Sequence, residues 1–262
     1  MSNLTVTLLQ SNPVWEQIDA NLAMYDHQLD GIDADTDLIV LPEMFSSGFS
    51  MNASCLAESM NGRTVTWMKK KTLEMKTALI GSLIIEENDH YYNRMVFVHP
   101  DGRLITYDKK HLFAFAGEDQ VYTAGKAHAD IVLQQWRIRP FICYDLRFPI
   151  WTRNLNLGYD VAIFTANWPA PRVAHWQTLL RARAIENQTY VIGVNRVGND
   201  GNSLEYPGHS AVIAPTGEVI FEMAQKEGGG TIALDRNLLD QFRKEFPVWR
   251  DGDGDMIKLD FP

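Results

Sequence analysis

Cysteine is scarce in this chain, which has only Cys55 and Cys143 among its 262 residues. Two thiols are too few for a disulfide framework, and they show no Cys/His spacing of the kind that binds zinc. The sequence therefore predicts no metal site, and two thiols in a reducing compartment indicate either catalysis or packing. Cys55 lies in a polar segment, and we expect its role to be structural.

Positive charge is also limited, because 24 Lys and Arg residues against 33 Asp and Glu residues give a net charge of -9. No basic run could neutralise a row of phosphates, so the sequence argues against a nucleic acid partner. Apolar runs are short, and none approaches the roughly 20 residues that cross a bilayer. The N-terminal residues lack the charged and apolar regions of a signal peptide. We expect a cytoplasmic protein with no membrane partner.

The pattern of apolar residues indicates an α/β fold. Helical periodicity predicts helices at residues 15–29, 64–75, 150–157 and 175–187. Short β-branched runs predict strands at residues 4–9, 37–41, 78–85, 92–99, 104–107, 131–133, 138–143, 161–165 and 190–197, then a final meander at 210–214, 219–223 and 231–234. Mixed sheets with helices on their outer faces explain this order better than a Rossmann fold or a barrel. Since no repeat or linker is present, we expect one domain over residues 1–262.

Cys143 is a candidate nucleophile because it ends an apolar strand. Pro149 follows and is typical of the first turn of a helix, so we expect a helix there. A thiol near a helix N-terminus lies close to the positive end of the dipole and to peptide N–H groups. Both favour the thiolate and can bind a developing oxyanion. The alternative is a buried cysteine that only packs.

Two other strand ends carry ionisable side chains. Glu43 follows the buried run at residues 38–41, at the carboxyl edge of a sheet, where open α/β folds place their sites. It could transfer protons there. Lys109 and Lys110 follow a strand and precede an apolar patch, so a lysine could offer a fixed positive charge to an oxyanion. An exposed turn carboxylate and a solvated basic turn are the alternatives.

Together these segments resemble the signature blocks of the nitrilase superfamily of carbon–nitrogen hydrolases. Residues 41–43, 109–113 and 143–149 are similar to its glutamate, lysine and cysteine blocks, in the family's order. The lysine block of that family looks like Lys-x-His-Leu-Phe. The resemblance therefore implies that Lys109 is the catalytic lysine and that Lys110 occupies the variable position.

The resemblance covers nearly the whole chain. Residues 117–125 resemble the family's second-glutamate segment, and residues 181–187 resemble its helix beyond the active site. The likeness implies a four-layer αββα sandwich with two mixed β-sheets and outer helices, usually as a homodimer. It also implies hydrolysis of carbon–nitrogen bonds without a metal or an organic cofactor. Glu118 would lie near the same pocket, although a surface salt bridge is an alternative for this residue.

The residue types define a mechanism with a cysteine-dependent Glu-Lys-Cys triad. Cys143 would attack a carbonyl carbon, Glu43 would accept the thiol proton, and Lys109 would hold the oxyanion with the backbone N–H of Tyr144. A thioester would remain, and Glu43 would activate the water that hydrolyses it. As a second carboxylate, Glu118 would position the lysine or the substrate nitrogen.

The detailed resemblance is greatest to the omega-amidase branch, which is similar at residues 143–148 and in the loop at residues 167–169. That branch hydrolyses the terminal amide of 2-oxo acid amides such as 2-oxoglutaramate and 2-oxosuccinamate. These substrates carry a carboxylate at the far end, and an acidic protein needs a local cation to hold it. Arg147 and Arg172 are the candidates.

Other side chains of the expected pocket have competing explanations. Arg147 could pair with Asp145 or with Glu residues and hold the turn instead of binding substrate. Phe113, Phe115 and Trp168 could form apolar walls that exclude water from the thioester, although aromatic residues near a site are often only core.

Several alternatives share parts of this pattern. In a papain-like enzyme, His111 or His175 would activate Cys143, although neither histidine lies in a motif of that class. An aliphatic amidase, a true nitrilase and an N-carbamoyl hydrolase would share the triad and differ in substrate. A noncatalytic module that binds a small molecule is the alternative from a different class, and the presence of all three triad residues argues against it.

Overall fold

The computed structural model describes residues 3–32 and 35–252. Within these residues, helices α1 to α6 span Ile18–Leu29, Ala53–Leu56, Arg63–Met75, Glu118–Val121, Val173–Asn187 and Arg236–Glu245. Strands β1 to β14 span Leu4–Gln10, Leu38–Val40, Ala78–Glu87, His90–Val98, Leu104–Asp108, Ile131–Leu133, Trp136–Ile142, Val161–Ala166, Tyr190–Asn195, Val197–Asn199, Glu205–Pro207, Ala211–Ile213, Val219–Glu222 and Gly228–Leu234. Short 3₁₀ helices lie at Ala114–Ala116, Cys143–Arg147, Leu155–Leu157, Ala170–Arg172 and Val248–Asp251.

Twelve of these strands form two mixed sheets. The first sheet has the order β14-β1-β2-β3-β4-β5 and the second has the order β13-β12-β9-β8-β7-β6. In the first sheet β1, β2 and β3 are parallel, and in the second sheet β7, β8 and β9 are parallel. Each sheet thus has three parallel strands at its centre, and the strands outside this centre pair antiparallel with their neighbours. Strands β10 and β11 form a separate hairpin.

Strand β2 illustrates how the layers stack. Successive side chains of a strand point to opposite faces. Leu38 and Val40 belong to the core cluster shared with the second sheet, whereas Ile39 belongs to the cluster shared with α1 and α3. Trp176 of α5 is fully buried and belongs to the same cluster as the second sheet. The order of layers is therefore helices, sheet, sheet and helix, which confirms the predicted αββα sandwich.

One expectation about local structure, the helix at residues 150–157, is wrong. No α-helix forms at residues 150–157, because Asn156 and Leu157 have positive φ angles of 52° and 51°. The side chain of Asn154 also bonds to both backbone groups of Tyr159, which favours a turn over a helix. The helix that follows the nucleophile is instead a 3₁₀ helix that begins at Cys143 itself.

The predicted final meander is also wrong. Strands β12 and β13 pair with each other, but β14 leaves them and pairs antiparallel with β1 in the first sheet. In that register Leu234 lies opposite Leu4, and Ile232 lies opposite Val6. The apolar alternation of β14 therefore completes the core of the other sheet, and only tertiary pairing decides which sheet it joins.

None of the helices in the described ranges is long and apolar enough to span a membrane. The organisation of residues 1–262 as one domain stays a prediction.

Candidate active site

Four strand ends meet at one cavity of about 660 Å³. Glu43 lies shortly after β2, Lys109 directly follows β5, Cys143 directly follows β7, and Asn167 directly follows β8. All four line the cavity. Strand β5 runs in the same direction as β3, because each of them is antiparallel to β4. The topology therefore delivers these residues to the carboxyl edges of both sheets, where α/β folds place their sites.

Cys143 adopts a backbone conformation that is unusual for a residue with a side chain. Its φ angle is 42°, in the left-handed region, which costs about 1–2 kcal/mol for a residue other than glycine. Its sulfur lies 3.9 Å from the backbone oxygen of Asn167. Burial raises the pKa of the thiol well above its ordinary value, and the charge of Glu43 raises it further, while Lys109 opposes the shift. The direction of this shift opposes the expected thiolate and favours the neutral thiol.

Lys109 is fully buried between two carboxylates. Its Nζ lies 2.8 Å from Glu43 Oε1 and 2.9 Å from both carboxylate oxygens of Glu118. Burial alone would lower the pKa of the lysine, but the charges of Glu118 and Glu43 raise it above its ordinary value. The lysine is therefore a fixed cation, and the exposed salt bridge considered for Glu118 is wrong because that side chain is buried.

Both carboxylate oxygens of Glu43 are held by further donors. The side-chain amide of Asn93 donates to Oε1 over 2.8 Å and also reaches Glu118 Oε1 at 3.2 Å. The backbone N–H of Asn167 donates to Glu43 Oε2 over 2.8 Å. Sequence reasoning missed Asn93. Its one signal was an amide side chain at the start of the buried half of β4.

Glu118 connects the buried Lys109 to the loop that contains Phe113. Its Oε2 accepts a 2.6 Å hydrogen bond from the backbone N–H of Phe113. Burial raises the pKa of Glu118 above its ordinary value; Lys109 acts to lower it, and Glu43 adds to the increase. Two carboxylates and one ammonium thus share a buried space with an excess of negative charge, so a proton is easily accepted there.

One wall of the cavity contains every substrate-binding residue predicted from the sequence, namely Phe113, Tyr144, Arg147, Trp168 and Arg172. The guanidinium of Arg147 lies over the ring of Trp168 at 4.7 Å, and the indole N–H of Trp168 donates to the backbone oxygen of Arg172. The guanidinium of Arg172 lies over the ring of Phe113 at 5.5 Å. One tryptophan therefore supports both arginines.

The alternative partner for Arg147 is contradicted. Asp145 is fully buried and accepts hydrogen bonds from Tyr107 and His111 instead. The guanidinium of Arg147 contacts His175 Nδ1 at 3.2 Å. Within residues 3–32 and 35–252, neither Arg147 nor Arg172 lies within ion-pair distance of a carboxylate.

Another part of the cavity lining was not foreseen from the sequence. It includes Trp15, Glu16, Phe49, Asp200 and Tyr206. The hydroxyl of Tyr206 donates to Asp200 over 2.9 Å, which fixes the loop of the β10–β11 hairpin. These residues come from loops distant in sequence and from short strands, so no periodic pattern marked them.

The histidines do not support a papain-like arrangement. Neither His111 nor His175 is among the residues that line the cavity. The ring of His111 is hydrogen bonded to Asp145 and stacks on Phe148 with a centroid distance of 3.7 Å. No group of three or more His, Cys, Asp or Glu side chains that could hold a metal ion occurs in the described part of the chain.

The fold and this site define a class of protein, the carbon–nitrogen hydrolases. The chain belongs to the carbon-nitrogen hydrolase family, whose sequence model matches residues 5–244. It is 46% identical to the omega-amidase YafV of Escherichia coli strain K12 over 257 residues, which cover 97% of this chain and 98% of that protein. It is 32% identical to the 2-oxoglutaramate amidase of Bacillus subtilis strain 168, with 94% and 96% of the two chains covered.

A solved structure gives the same result. The carbon–nitrogen hydrolase superfamily protein XC1258 from Xanthomonas campestris, which holds an arsenic adduct in its active site, superposes with a TM-score of 0.95. It is 40% identical, and the match covers 97% of this chain and 98% of that chain. The predicted family and fold are therefore confirmed, and the relatives named here as amidases are enzymes.

Proposed function

We propose that this protein is an omega-amidase, which hydrolyses the terminal amide of a 2-oxo acid amide such as 2-oxoglutaramate or 2-oxosuccinamate and releases ammonia. The observation that carries the proposal is a single cavity lined by a thiol, a buried carboxylate–lysine pair and two arginines. The similarity to an omega-amidase and to a 2-oxoglutaramate amidase supports this substrate class.

The first step is attack by the sulfur of Cys143 on the carbonyl carbon of the amide. Because the raised pKa favours the neutral thiol, a base must take its proton as the carbon–sulfur bond forms. The carboxylate of Glu43 is that base. The negative oxygen of the tetrahedral intermediate is stabilised by Nζ of Lys109 and by the backbone N–H of Tyr144 in the first turn of the 3₁₀ helix.

The second step breaks the carbon–nitrogen bond. Glu43 returns the proton to the nitrogen, ammonia leaves, and a thioester remains on Cys143. A water molecule then attacks the thioester carbon while Glu43 accepts a proton from that water. The carbon–sulfur bond breaks, the sulfur takes the proton back, and the carboxylic acid is released. Throughout both steps Glu118 holds Lys109 in place through its 2.9 Å contacts.

We assign the far carboxylate of the substrate to Arg172, with Arg147 as the second cation. Both guanidiniums line the same wall as Trp168. Arg147 already contacts a nitrogen of His175. For the Arg172 guanidinium, the described residues provide a ring contact with Phe113 and no hydrogen bond. Its fork of N–H donors therefore remains available for a carboxylate, which guanidinium groups bind with paired hydrogen bonds.

We also propose a homodimer in the cytoplasm. Ile185 on α5 is 55% exposed and Phe246 after α6 is 57% exposed, so the outer helices offer apolar side chains to a second copy. A nucleophilic thiol needs a compartment that keeps cysteine reduced. Light scattering across a wide range of concentration tests the dimer, and a monomer throughout would remove that part of the proposal.

The substrate class is tested by ammonia release from a panel of compounds, with Cys143→Ala as the blank. The panel contains 2-oxoglutaramate, 2-oxosuccinamate, glutamine, a simple aliphatic amide, a nitrile and an N-carbamoyl amino acid. We expect clear selectivity for the two oxo-acid amides. Selectivity for another member would overturn the substrate assignment and keep the triad, and no turnover of any member would favour a binding module.

The arginine assignment needs its own pair of variants. We expect Arg172→Met to raise KM for 2-oxoglutaramate by about 10- to 100-fold, because a charged hydrogen bond contributes about 1.5–3 kcal/mol. KM for a neutral aliphatic amide should change little. The matched variant Arg147→Met should have the smaller effect on KM, and the reverse order would move the assignment to Arg147.

A further inference from the structure

A buried carboxylate outside the reaction steps joins the two loops that carry Lys109 and Cys143. Asp145 is fully buried. Its Oδ1 accepts the backbone N–H of His111 over 3.0 Å and the Nδ1 of the same residue over 2.8 Å. Its Oδ2 accepts the hydroxyl of Tyr107 over 2.7 Å and the backbone N–H of Ile142 over 3.0 Å. A carboxylate has about four acceptor positions, so these four bonds saturate it.

The bond to Ile142 controls the turn at the nucleophile. Ile142 directly precedes Cys143, and Asp145 lies two residues after it, so the bond closes a loop around the nucleophile. Cys143 has a positive φ angle of 42°. Strained backbone angles persist only where the surrounding structure holds them. Asp145 therefore holds the conformation in which the sulfur lines the cavity.

The bonds to His111 control the position of the lysine. His111 lies two residues after Lys109, so Asp145 anchors the chain just beyond the lysine. The backbone of Lys109 itself is held by Asn93, whose oxygen accepts its N–H over 3.0 Å, and by Gly125, whose N–H donates to its oxygen over 2.8 Å. The segment that carries Lys109 is therefore held at the lysine and just beyond it. The anchor beyond it, Asp145, also holds the turn at Cys143.

The neighbours of Asp145 keep this arrangement rigid. The ring of His111 stacks on Phe148, with a centroid distance of 3.7 Å and an angle of 9° between the ring planes. The indole N–H of Trp151 donates to the hydroxyl of Tyr107 over 2.9 Å. Burial and the charge of Asp145 raise the pKa of Tyr107 well above its ordinary value, so its hydroxyl remains a donor.

We propose that Asp145, together with His111, is a positioning residue that sets the place of the Cys143 sulfur relative to the Lys109 ammonium. This inference rests on the proposed amidase reaction. Asp145 is absent from the residues that line the cavity, so it acts through the two catalytic loops and not on the substrate. Its loss should therefore lower kcat and leave KM nearly unchanged.

The test compares Asp145→Asn with Asp160→Asn, a matched variant at another buried aspartate that is held by arginines far from the cavity lining. We expect Asp145→Asn to lower kcat by 10- to 100-fold with KM within about twofold. We expect Asp160→Asn to keep kcat per folded molecule, measured at a temperature where both variants are folded by circular dichroism. His111→Asn, which keeps the backbone donor and removes the stacked ring, should lower kcat by a smaller factor.

A readout that needs no substrate separates this inference from the proposed function. The rate at which iodoacetamide alkylates Cys143, in a Cys55→Ser background, should change at least threefold in Asp145→Asn and stay within error in Asp160→Asn. If no amide is hydrolysed but alkylation responds in this way, the proposed function fails and the positioning role stands. Unchanged alkylation and unchanged kcat in both Asp145→Asn and His111→Asn, or a loss confined to KM, would overturn the positioning role.

Should Asp145→Asn fail to fold, His111→Asn carries both measurements alone. A kcat loss and a changed alkylation rate in that variant support the inference, and wild-type values in both overturn it.

Discussion

Two buried clusters of charge lie at opposite ends of the strands in the second sheet, and they differ in the sign of their excess charge. At the amino end of β8, the single carboxylate of Asp160 accepts hydrogen bonds from three arginines, Arg137, Arg236 and Arg243. At the carboxyl end, the single ammonium of Lys109 lies between two carboxylates. Both clusters are built from ordinary ion pairs, and both include a carboxylate with no exposed side-chain surface.

The difference decides what each cluster can do. Burial acts to raise the pKa of Asp160, but the bonds from Arg137 and Arg243 outweigh it and hold the pKa below its ordinary value. That carboxylate therefore stays charged, and the cluster can only contribute to stability. At the active site, burial and neighbouring negative charge raise the pKa values of Glu118 and Cys143. An excess of carboxylate favours a proton held close to the thiol, which is what the proposed hydrolysis needs.

The largest expected effect is at the nucleophile. Cys143→Ala should lower the rate of ammonia release by at least about 10⁴-fold, because no other group can form the thioester. Its melting temperature should stay near that of the unmodified chain, since a small, partly buried side chain is replaced by a smaller one. Residual activity above one part in a hundred would show that another residue provides the nucleophile.

A pair of neighbouring lysines tests the charge at the catalytic end. Lys109→Met should lower kcat by about 10³-fold, because one preorganised oxyanion donor is worth 10²–10³-fold and the pairing of Glu43 is lost as well. Lys110→Met is the control, since Lys110 is partly exposed and lies over the ring of Trp151, outside the cavity lining. Equal losses in the two variants would leave the oxyanion assignment without support.

The opposite cluster should respond through stability alone. Asp160→Asn should lower the free energy of unfolding by about 3 kcal/mol at neutral pH, because three arginines lose a buried charged partner. Since the folded pKa of Asp160 lies below its unfolded value, the stabilisation is present above about pH 4 and is lost as the pH falls towards the folded pKa.

Urea unfolding of both forms between pH 3 and pH 7 measures this difference. The gap between the unmodified chain and Asp160→Asn should be constant above pH 5 and should narrow below pH 4. A gap that widens as the pH falls would contradict the role given to this cluster.

The smallest effect concerns the protonation state of the thiol. In a Cys55→Ser background, the rate of alkylation of Cys143 by iodoacetamide should still be rising at pH 9, because burial and Glu43 raise its pKa. An ordinary thiol has a pKa near 8.5 and is already mostly ionised at that pH. Glu43→Gln should shift the curve to lower pH. A rate that levels off below pH 8 would mean that the thiolate forms before substrate binds.

The apolar pattern was enough to predict mixed sheets with outer helices, and the resemblance to the nitrilase superfamily implied the four-layer αββα sandwich and the triad. Glu43, Lys109 and Cys143 each follow an apolar run, so local pattern placed them at a sheet edge. Their positions were accessible because strand direction and hydrophobic period are local properties. Glu118 was anticipated only from the family resemblance, and its full burial was not anticipated.

The rest depended on contacts between distant segments. Nothing local assigns Asn93 to a pair of glutamates, and nothing local sends β14 to the first sheet instead of the second. The cavity lining brings together Trp15 and Tyr206, which are about 190 residues apart in sequence. The predicted helix at residues 150–157 failed because two left-handed residues and the bonds of Asn154 favour a turn over a helix.

We propose that Cys143 forms a thioester while Glu43 transfers the proton. To detect the thioester, the protein is mixed with 2-oxoglutaramate, quenched with acid within the first turnovers, digested, and searched by mass spectrometry for the acylated peptide. We expect the acyl group on the peptide that contains Cys143, with a larger acylated fraction in Glu43→Gln if deacylation slows more than acylation. An acyl group on any other residue, or steady turnover with no acylated peptide at any quench time, would contradict it.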